Sequence, residues 1–411
     1  MRIVLIALMG LGLQAAPAVP GVRRAELRKA LPNAVTVLFG RTEKDSDDFR
    51  TGSFQESNFY YLTGWTEPGA LLLLDPAREV LFLPRKNRET EKWTGTKAAH
   101  DDANVKERTG FEAVMSVELF ETELRRSLEK FSGLQAMTGT PEAARLEALA
   151  PLRSVSNVRP AVAKLRMKKS PEELALLRRA TDITMEGHRA AWKRIAAGLS
   201  EYQLAAVMTG VFIDRGCERN AYPPIVGSGP NSVFLHYSAN RRRMDRGEVV
   251  VMDVGAECSA YASDITRTIP VGGKFSKRQK EIYEIVLAAQ KAAIVAVKPG
   301  VTIGKTTPNS IYKVAYDYIN SHGKDSKGEP LGKYFTHGIG HHVGLDVHDA
   351  SDTAAPLEAG MVITVEPGIY IPDESIGIRI EDMVLVTEDG AKVLSEALPK
   401  EVGEVERALG R

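Results

Sequence analysis

The chain has 411 residues, and its 54 lysines and arginines nearly balance its 53 aspartates and glutamates, which gives a formal charge of +1. A charge so close to zero argues against a nucleic-acid partner, because phosphate backbones are bound by clusters of positive charge. The hydrophobic fraction of 43% and the charged fraction of 26% are those of a globular protein, and the length predicts two or three domains. Two cysteines exclude a disulfide-rich scaffold and a metal site built from cysteine alone.

The amino terminus has the pattern of a secretory signal peptide. Arg2 precedes an apolar run over residues 3–13, and small residues and prolines follow that run. The run is too short to span a bilayer, which needs about 20 apolar residues. We therefore expect a signal peptide over residues 1–18 and an exported protein, periplasmic or secreted, with no membrane attachment after cleavage. Cys217 and Cys258 could then oxidise, but the sequence leaves open whether they pair.

The segment after the signal alternates between strand-like and helix-like stretches. Compact apolar runs at residues 34–40, 70–75 and 80–84 end in turn residues, as buried strands do. Residues 117–131 have the apolar spacing of a helix. This alternation predicts an α/β domain that ends near residue 160.

A different pattern begins near residue 165, where three helices are predicted from their starting residues. Ser170 with Glu173, Ser200 with Gln203, and Ser276 with Gln279 each have the spacing of a capping box. Between and after these helices, strand-like stretches are joined by tight turns, which favours an α+β domain with an antiparallel sheet. The predicted strand-like stretches are residues 249–255, 261–271, 361–366 and 377–387.

Two aspartates in residues 248–273 form a candidate metal-binding pair. A predicted turn at Cys258 and Ser259 places Asp253 directly opposite Asp264 on neighbouring strands. Carboxylates in that position repel each other, so a divalent cation or a shared proton has to offset the repulsion. Two surface aspartates beside a longer turn are the alternative.

Four of the eight histidines lie within twelve residues, 337–348. The glycines between them argue against a helix, because each costs about 1 kcal/mol relative to alanine. The segment also lacks the glutamate of the H-E-x-x-H zinc motif. We expect a metal-binding or catalytic role for at least one of the four. They are His337, His341, His342 and His348.

Two glutamates extend the set of candidate residues. Glu366 ends an apolar strand just before Pro367, and a charge there needs a partner if it is buried. Glu381 shares a strand face with Arg379. An ion pair between these two residues on a solvated sheet is the alternative to a functional role.

Taken in order, these residues resemble the signature of the metal-dependent pita-bread peptidases, the group of methionine aminopeptidases, Xaa-Pro aminopeptidases and Xaa-Pro dipeptidases. The surrounding segments match as well: MDVGAE, SDITRT, HHVGLDVHD, TVEPGIY and GIRIED. Residues 53–74 and 91–95 are similar to the N-terminal domain of Xaa-Pro aminopeptidases, which methionine aminopeptidases lack. The resemblance implies an α+β pita-bread catalytic domain over residues 161–411 and a smaller α/β aminopeptidase P-type domain over residues 19–160.

The resemblance also implies a ligand set for two divalent metal ions. Asp264 and Glu381 would bridge both ions, Asp253 would bind one, and His341 and Glu366 would bind the other. Four carboxylates and two dications balance in charge. The family favours Mn²⁺, and a donor set of carboxylates with one imidazole also suits Co²⁺, Fe²⁺ or Zn²⁺.

The implied reaction is attack of a metal-generated hydroxide on the bond between the first residue and a proline at position two. Glu366 would pass the water proton to the leaving nitrogen. His236 and His348 match family histidines that bind substrate at the scissile bond and assist catalysis, and His337 matches one beside the proline pocket. Arg379 matches an arginine that orients the bridging glutamate and contacts substrate. His342 stands where other members carry a different residue, so it receives no role.

Three alternatives stay open. An Xaa-Pro dipeptidase needs a cation that binds the free proline carboxylate, but residues 349–365 contain no arginine or lysine, which favours the aminopeptidase. Arg241–Arg243 could supply that cation instead. A metal-free creatinase-type enzyme or a non-catalytic binding protein of this fold would lack metal ligands, and all five are present. The implied partners are small peptides with proline at position two and further copies of the chain, as a dimer or tetramer.

Overall fold

The computed structural model describes residues 18–42 and 54–410. Residues 1–17, which hold nearly all of the predicted signal peptide, lie outside this part, and the first helix begins at Ala18. Among the helices described, none combines the length and the hydropathy that a membrane span requires. The chain divides into two compact units, Met1–Leu165 and Arg166–Arg411.

The first unit contains one six-stranded mixed sheet with helices between its strands. The elements are α1 (Ala18–Ala30), β1 (Ala34–Phe39), α2 (Ser57–Thr63), β2 (Leu71–Leu74), β3 (Glu79–Leu83), α3 (Arg88–Thr94), α4 (Val105–Thr109), β4 (Ala113–Ser116), α5 (Phe120–Leu128), β5 (Gly133–Ala136), α6 (Pro141–Leu149), β6 (Val155–Asn157) and α7 (Arg159–Met167), in which the second unit begins. The strand order is β4-β3-β2-β1-β5-β6, with β1 antiparallel to β2 and parallel to β5.

Apolar composition explains the centre of this sheet. The strands β1, β2 and β3 coincide with the three predicted apolar runs, and their central residues are buried. Burying one such aliphatic side chain contributes about 1.5–3 kcal/mol to folding. Phe120 of α5 packs on this core, with its ring centroid 5.6 Å from that of Phe82. The α/β prediction for this part of the chain is confirmed.

The second unit combines long helices with antiparallel strand pairs. Capping boxes are present at Ser170, Ser200 and Ser276, as their spacing predicted, and each satisfies backbone amides at a helix start. The elements are α8 (Pro171–Arg194), α9 (Glu201–Asp214), β7 (Arg219–Asn220), β8 (Ile225–Ser228), β9 (Val249–Asp253), β10 (Ala256–Cys258), β11 (Tyr261–Ala262), β12 (Thr266–Pro270), α10 (Lys277–Ala296), α11 (Ile311–His322), β13 (Val362–Val365), β14 (Gly368–Ile371), β15 (Ile376–Arg379), β16 (Asp382–Val386), β17 (Ala391–Val393) and α12 (Val402–Ala408).

The strands of the second unit form small sheets of two or three members. Their orders are β11-β10-β7, β12-β9-β8, β13-β16-β17 and β14-β15, and every pairing is antiparallel. This arrangement confirms the predicted α+β class. It also brings the ends of β9, β13 and β15, which carry polar residues, into one region of the unit.

The register of the aspartate hairpin differs from the predicted one. The turn is Ser259–Ala260, whose φ angles of 53° and 65° are left-handed, and not Cys258–Ser259. Asp253 therefore pairs with Thr266, and Asp264 lies two residues before that partner. A shift of two residues keeps both aspartates on the same face of the sheet, so the predicted proximity survives the wrong register.

The same hairpin is joined covalently to the end of α9. Cys217 and Cys258 form a disulfide across a sequence separation of 41 residues, and both are buried. The bond therefore links the hairpin that carries both aspartates to the segment that follows α9.

Candidate metal centre

A cavity of about 280 Å³ in the second unit is lined by the predicted metal ligands. Two of the predicted substrate histidines, His236 and His348, line it too. The remaining wall includes Tyr222 and three apolar side chains. The full lining consists of Tyr222, Pro223, Ile225, His236, Ser238, Asp253, Asp264, His341, Val347, His348, Glu366 and Glu381.

Asp253 and Asp264 share one phenol between them. The Tyr222 hydroxyl oxygen lies 2.6 Å from Oδ1 of Asp253 and 2.5 Å from Oδ1 of Asp264. Burial and the two carboxylates raise the pKa of Tyr222 well above its usual value, so the phenol stays protonated. Its single proton can be donated to only one of the two carboxylates at a time.

His341 faces the carboxylates with one ring nitrogen. Its Nδ1 lies 3.1 Å from the carbonyl oxygen of His342, and only a protonated Nδ1 can donate to a carbonyl. Nε2 is the nitrogen that faces the carboxylates, 3.4 Å from Oδ2 of Asp264 and 3.8 Å from Oε1 of Glu366, and it can bind a metal ion once it has released its own proton. A histidine fixed in this way by a backbone carbonyl has the tautomer of a metal ligand.

The segment before His341 is held close to β13. His341 donates its backbone amide to Oγ1 of Thr364, at 3.1 Å, and its carbonyl accepts from the Thr364 amide, at 2.9 Å. A Cβ atom at Gly340 would collide with the carbonyl oxygen of Thr364. The glycine is therefore required by the close approach of the two backbones.

Arg379 connects the two sides of the site. Its guanidinium donates to Oδ2 of Asp253, at 2.5 Å, and to Oγ1 of Thr266, at 3.3 Å. Thr266 in turn donates to Oε2 of Glu381, at 2.6 Å. One buried cation thus orients one carboxylate directly and a second through a hydroxyl group.

His337 lies beside the cavity, with Nδ1 3.7 Å from Oε2 of Glu366. It accepts a hydrogen bond at Nε2 from the hydroxyl of Tyr370, at 2.8 Å, and that hydroxyl accepts from Nη1 of Arg379, at 2.9 Å. Burial and the charge of Arg379 lower the pKa of His337 to about 3, so its imidazole is neutral. His348 is exposed to the cavity, and its ring centroid is 4.2 Å from that of His341.

The buried carboxylates of the site need additional positive charge nearby to be stable as anions. Burial raises the pKa of Asp253, raises that of Glu366 to about 7, and raises that of Glu381 well above its usual value, the last with help from neighbouring carboxylates. Burial also acts to raise the pKa of Asp264, but the hydrogen bond from His341 lowers that pKa below its usual value. The three carboxylates with raised pKa values become stable as anions when cations are bound among them.

The donor geometry fits a metal ion. Ligand atoms of Asp264, His341 and Glu381 lie within 4.8 Å of one another. The set mixes carboxylate oxygens with one imidazole nitrogen, which suits divalent transition metals. The same region therefore meets both the charge requirement and the ligand requirement of a divalent metal centre.

The structure thus brings together seven of the nine predicted site residues as cavity lining. The other two, His337 and Arg379, contact the lining residues Glu366 and Asp253. The sequence reasoning missed Tyr222 and Tyr370. Tyr370 could have been found, because it closes TVEPGIY, the same motif that contains Glu366. Tyr222 lies in a segment with no periodic signal.

Comparison with known proteins places the chain in a family. It matches the model of metallopeptidase family M24 over residues 175–388 and that of the aminopeptidase P N-terminal domain over residues 22–134. It is 36% identical over 410 residues to the Xaa-Pro aminopeptidase of Haemophilus influenzae, covering 92% of this chain and 94% of that protein.

Solved structures agree with the sequence matches. Escherichia coli aminopeptidase P with the inhibitor Pro-Leu superposes with a TM-score of 0.85 at 31% identity, over 97% of this chain and 99% of that one. Proline aminopeptidase P II from Yersinia pestis gives a TM-score of 0.83 at 30% identity, over 96% and 99%. The pita-bread fold and the metallopeptidase resemblance inferred from the motifs are confirmed: the chain belongs to the metallopeptidase family M24, in its aminopeptidase P branch, and is a metal-dependent hydrolase.

Proposed function

We propose that the chain is a two-metal Xaa-Pro aminopeptidase that releases the first residue of peptides whose second residue is proline. The observation that carries this proposal is the cavity in which four carboxylates and His341 meet His236 and His348. The names of the H. influenzae and E. coli relatives support the peptide class.

The ligand assignment follows the family pattern. Asp264 and Glu381 would bind both ions, Asp253 one of them, and His341 and Glu366 the other. Bound divalent ions supply a water activated for attack at neutral pH and a Lewis acid for the peptide carbonyl. Mn²⁺ is the proposed ion, since carboxylates dominate the donor set.

The side chains of this chain carry the remaining steps. Glu366 would accept the water proton and pass it to the proline nitrogen, as a positioned carboxylate can. His236 and His348 would bind the peptide across the scissile bond. Arg379 would hold Asp253 and, through Thr266, Glu381 in place. His337 would border the proline ring.

The cavity favours peptides longer than two residues. No arginine or lysine occurs among the described residues that line it, so no cation is positioned there for the free carboxylate of a dipeptide. Two of the three alternative cations are engaged: Arg242 donates to Ser228 and Glu248, and Arg243 donates to the carbonyl of Gly198.

A peptide panel tests the proposal. The purified enzyme, loaded in turn with Mn²⁺, Co²⁺ and Zn²⁺, is assayed on Xaa-Pro peptides of two to six residues. We expect release of the first residue, fastest with Mn²⁺, and Ala-Pro-Ala cleaved faster than Ala-Pro. A strong preference for Ala-Pro would identify a dipeptidase, and an empty site after metal reconstitution would favour a binding protein.

Export and self-association complete the proposal. The apolar amino terminus supports export, and a disulfide between Cys217 and Cys258 is typical of an oxidising compartment. Cell fractionation with mass analysis of the mature amino terminus tests the export proposal. Light scattering of the purified protein tests whether it is a dimer or a tetramer.

A further inference from the structure

The loop over residues 341–349, here called the histidine loop, joins a predicted metal ligand to a predicted substrate contact. His341 stands at its start, and His348 near its end is exposed to the cavity. The next residue, Asp349, points away from solvent, with a side chain only 1% exposed. A buried carboxylate directly after the cavity histidine needs an explanation, because a buried charge is costly unless it is paired.

Asp349 is paired with two cations from the junction between α7 and α8. Its Oδ2 accepts from Nζ of Lys169 at 2.9 Å, and its Oδ1 accepts from the guanidinium of Arg166. The Lys169 side chain is likewise 1% exposed. Its ammonium group also reaches the carbonyl oxygens of Arg166, at 2.6 Å, and Met167, at 3.4 Å. All three of its N–H donors are therefore directed at acceptors.

Backbone contacts close the loop around this ion pair. The amide of Asp349 donates to the carbonyl of His342, at 2.9 Å, and the carbonyl of Gly344 accepts from the amide of Ala262, at 2.8 Å. A Cβ atom at Gly344 would collide with the Asp349 carboxylate, so the loop folds directly over that group. The carboxylate and these backbone hydrogen bonds together hold residues 343–348 in place.

We propose that Lys169 is a positioning residue, which acts through Asp349 to hold His348 at the cavity. The inference rests on the proposed function, since it assigns Lys169 an effect on peptide hydrolysis through His348. Without the ammonium group, the Asp349 carboxylate would keep Arg166 but lose one of its two buried cations, and the loop would relax. A displacement of about 1 Å in a substrate-contacting group can cost about 100-fold in rate.

A double-mutant cycle with metal analysis tests the proposal. Lys169→Met, His348→Ala and the double variant are assayed on Ala-Pro-Ala with Mn²⁺. We expect Lys169→Met to lower kcat about 10- to 100-fold with little change in KM and in bound metal. In the His348→Ala background the same substitution should cost less than about twofold, because the two changes remove one interaction.

Lys168→Met is the matched control. Lys168 neighbours Lys169 but is 58% exposed and pairs with the exposed Glu358, so the same chemical change should leave kcat and KM unaltered. Should Lys169→Met not fold, Asp349→Asn removes the charge at the other end of the pair and must show the same non-additivity with His348→Ala.

Three results overturn the inference. Losses that multiply in the double variant would mean that Lys169 does not act through His348. Loss of bound metal in Lys169→Met would place its effect at His341 instead. A wild-type enzyme that hydrolyses no peptide contradicts the proposed function and this inference with it, whereas an active wild type with multiplying losses contradicts the inference alone.

Discussion

The two units of the chain differ in how many charged side chains they bury and in how those side chains are paired. In the first unit, the buried charged side chains among the described residues are Arg23, Arg24 and Asp75. Each is paired nearby: Arg24 with Glu79, Asp75 with Ser127 and Arg78, and Arg23 with the carbonyl of Tyr61. The strands β1, β2 and β3 of its sheet are almost purely apolar.

The second unit buries charge in its interior, in two kinds of arrangement. Arg267 with Asp382 and Lys169 with Asp349 are matched ion pairs, with side chains 0–1% exposed. The cavity carboxylates have no such matching, since Arg379 and His341 are the cations that contact them within the described residues. Buried carboxylates that outnumber their cations therefore identify the candidate metal centre, whereas buried ion pairs stabilise the fold.

The largest expected effect is on turnover, and it comes from changing a carboxylate of the cavity. Glu366→Gln keeps the shape of the side chain but removes a group that exchanges protons, so turnover should fall by about 10²- to 10⁴-fold. Thermal stability of the metal-free protein should stay unchanged or rise, because a repelling buried carboxylate is lost. Steady-state assays on Ala-Pro-Ala with calorimetry of the same preparation measure both quantities.

Retained turnover in metal-loaded Glu366→Gln would remove this residue from the mechanism. A large loss of thermal stability in Glu366→Gln would instead show that the cavity carboxylates stabilise the fold. The cavity carboxylates and the buried ion pairs would then not differ in their effect on stability.

A matched pair should give the opposite result. Arg267 donates to Asp382, at 2.7 Å, and to the backbone carbonyls of Thr266, Glu381, Leu398 and Pro399. Arg267→Met leaves Asp382 with Lys400 as its remaining cation and removes the donor from these four carbonyls, so we expect a loss of about 3–5 kcal/mol in the free energy of unfolding. Urea titration of the full chain measures the change, and a loss below about 1 kcal/mol contradicts the assignment.

How much of this could be predicted from the sequence depends on how local each signal is. The helix starts at Ser170 and Ser276 were predicted because a capping box needs only four consecutive residues. The ligands were found because they lie in distinctive motifs. The hairpin register was missed because Ser259 and Ala260 adopt left-handed angles without the glycine or asparagine that usually announces them.

Contacts between distant residues left no local signal. Lys169 meets Asp349 across 180 positions, and Tyr222 meets Asp264 across 42. The pairing of Cys217 with Cys258 was likewise left open, because it depends on how α9 packs beside the hairpin. These features follow from the tertiary arrangement, which no spacing within a motif encodes.

A smaller effect should come from a neutral group buried in the same unit. His188 is fully buried, and burial together with Arg267 lowers its pKa to about 3. The unfolded chain binds this proton near pH 6.5 and the folded chain does not, so stability falls as the pH drops below about 6.5. Between pH 7 and pH 5 this group should cost about 2 kcal/mol.

His188→Gln tests that sign. The amide can still donate to the carbonyl of Ile265, as Nε2 of His188 does, but it does not titrate. Urea unfolding of metal-free protein at pH 7 and pH 5 should show about 2 kcal/mol less pH dependence in the variant than in the wild type. Equal pH dependence in the two proteins would mean that His188 does not couple protonation to folding.

The smallest effect is expected from a surface pair of the first unit. Lys92 and Glu89 on α3 lie 2.9 Å apart but are 65% and 80% exposed. Water solvates both charges when they separate, so Lys92→Met should change the free energy of unfolding by no more than about 0.5 kcal/mol. The substitution is the same as at Arg267, a cation replaced by methionine, which makes burial the variable that differs. If Lys92→Met lowers the free energy of unfolding by more than about 1 kcal/mol, an exposed ion pair also stabilises the first unit. The burial of ion pairs could then no longer explain why the two units differ.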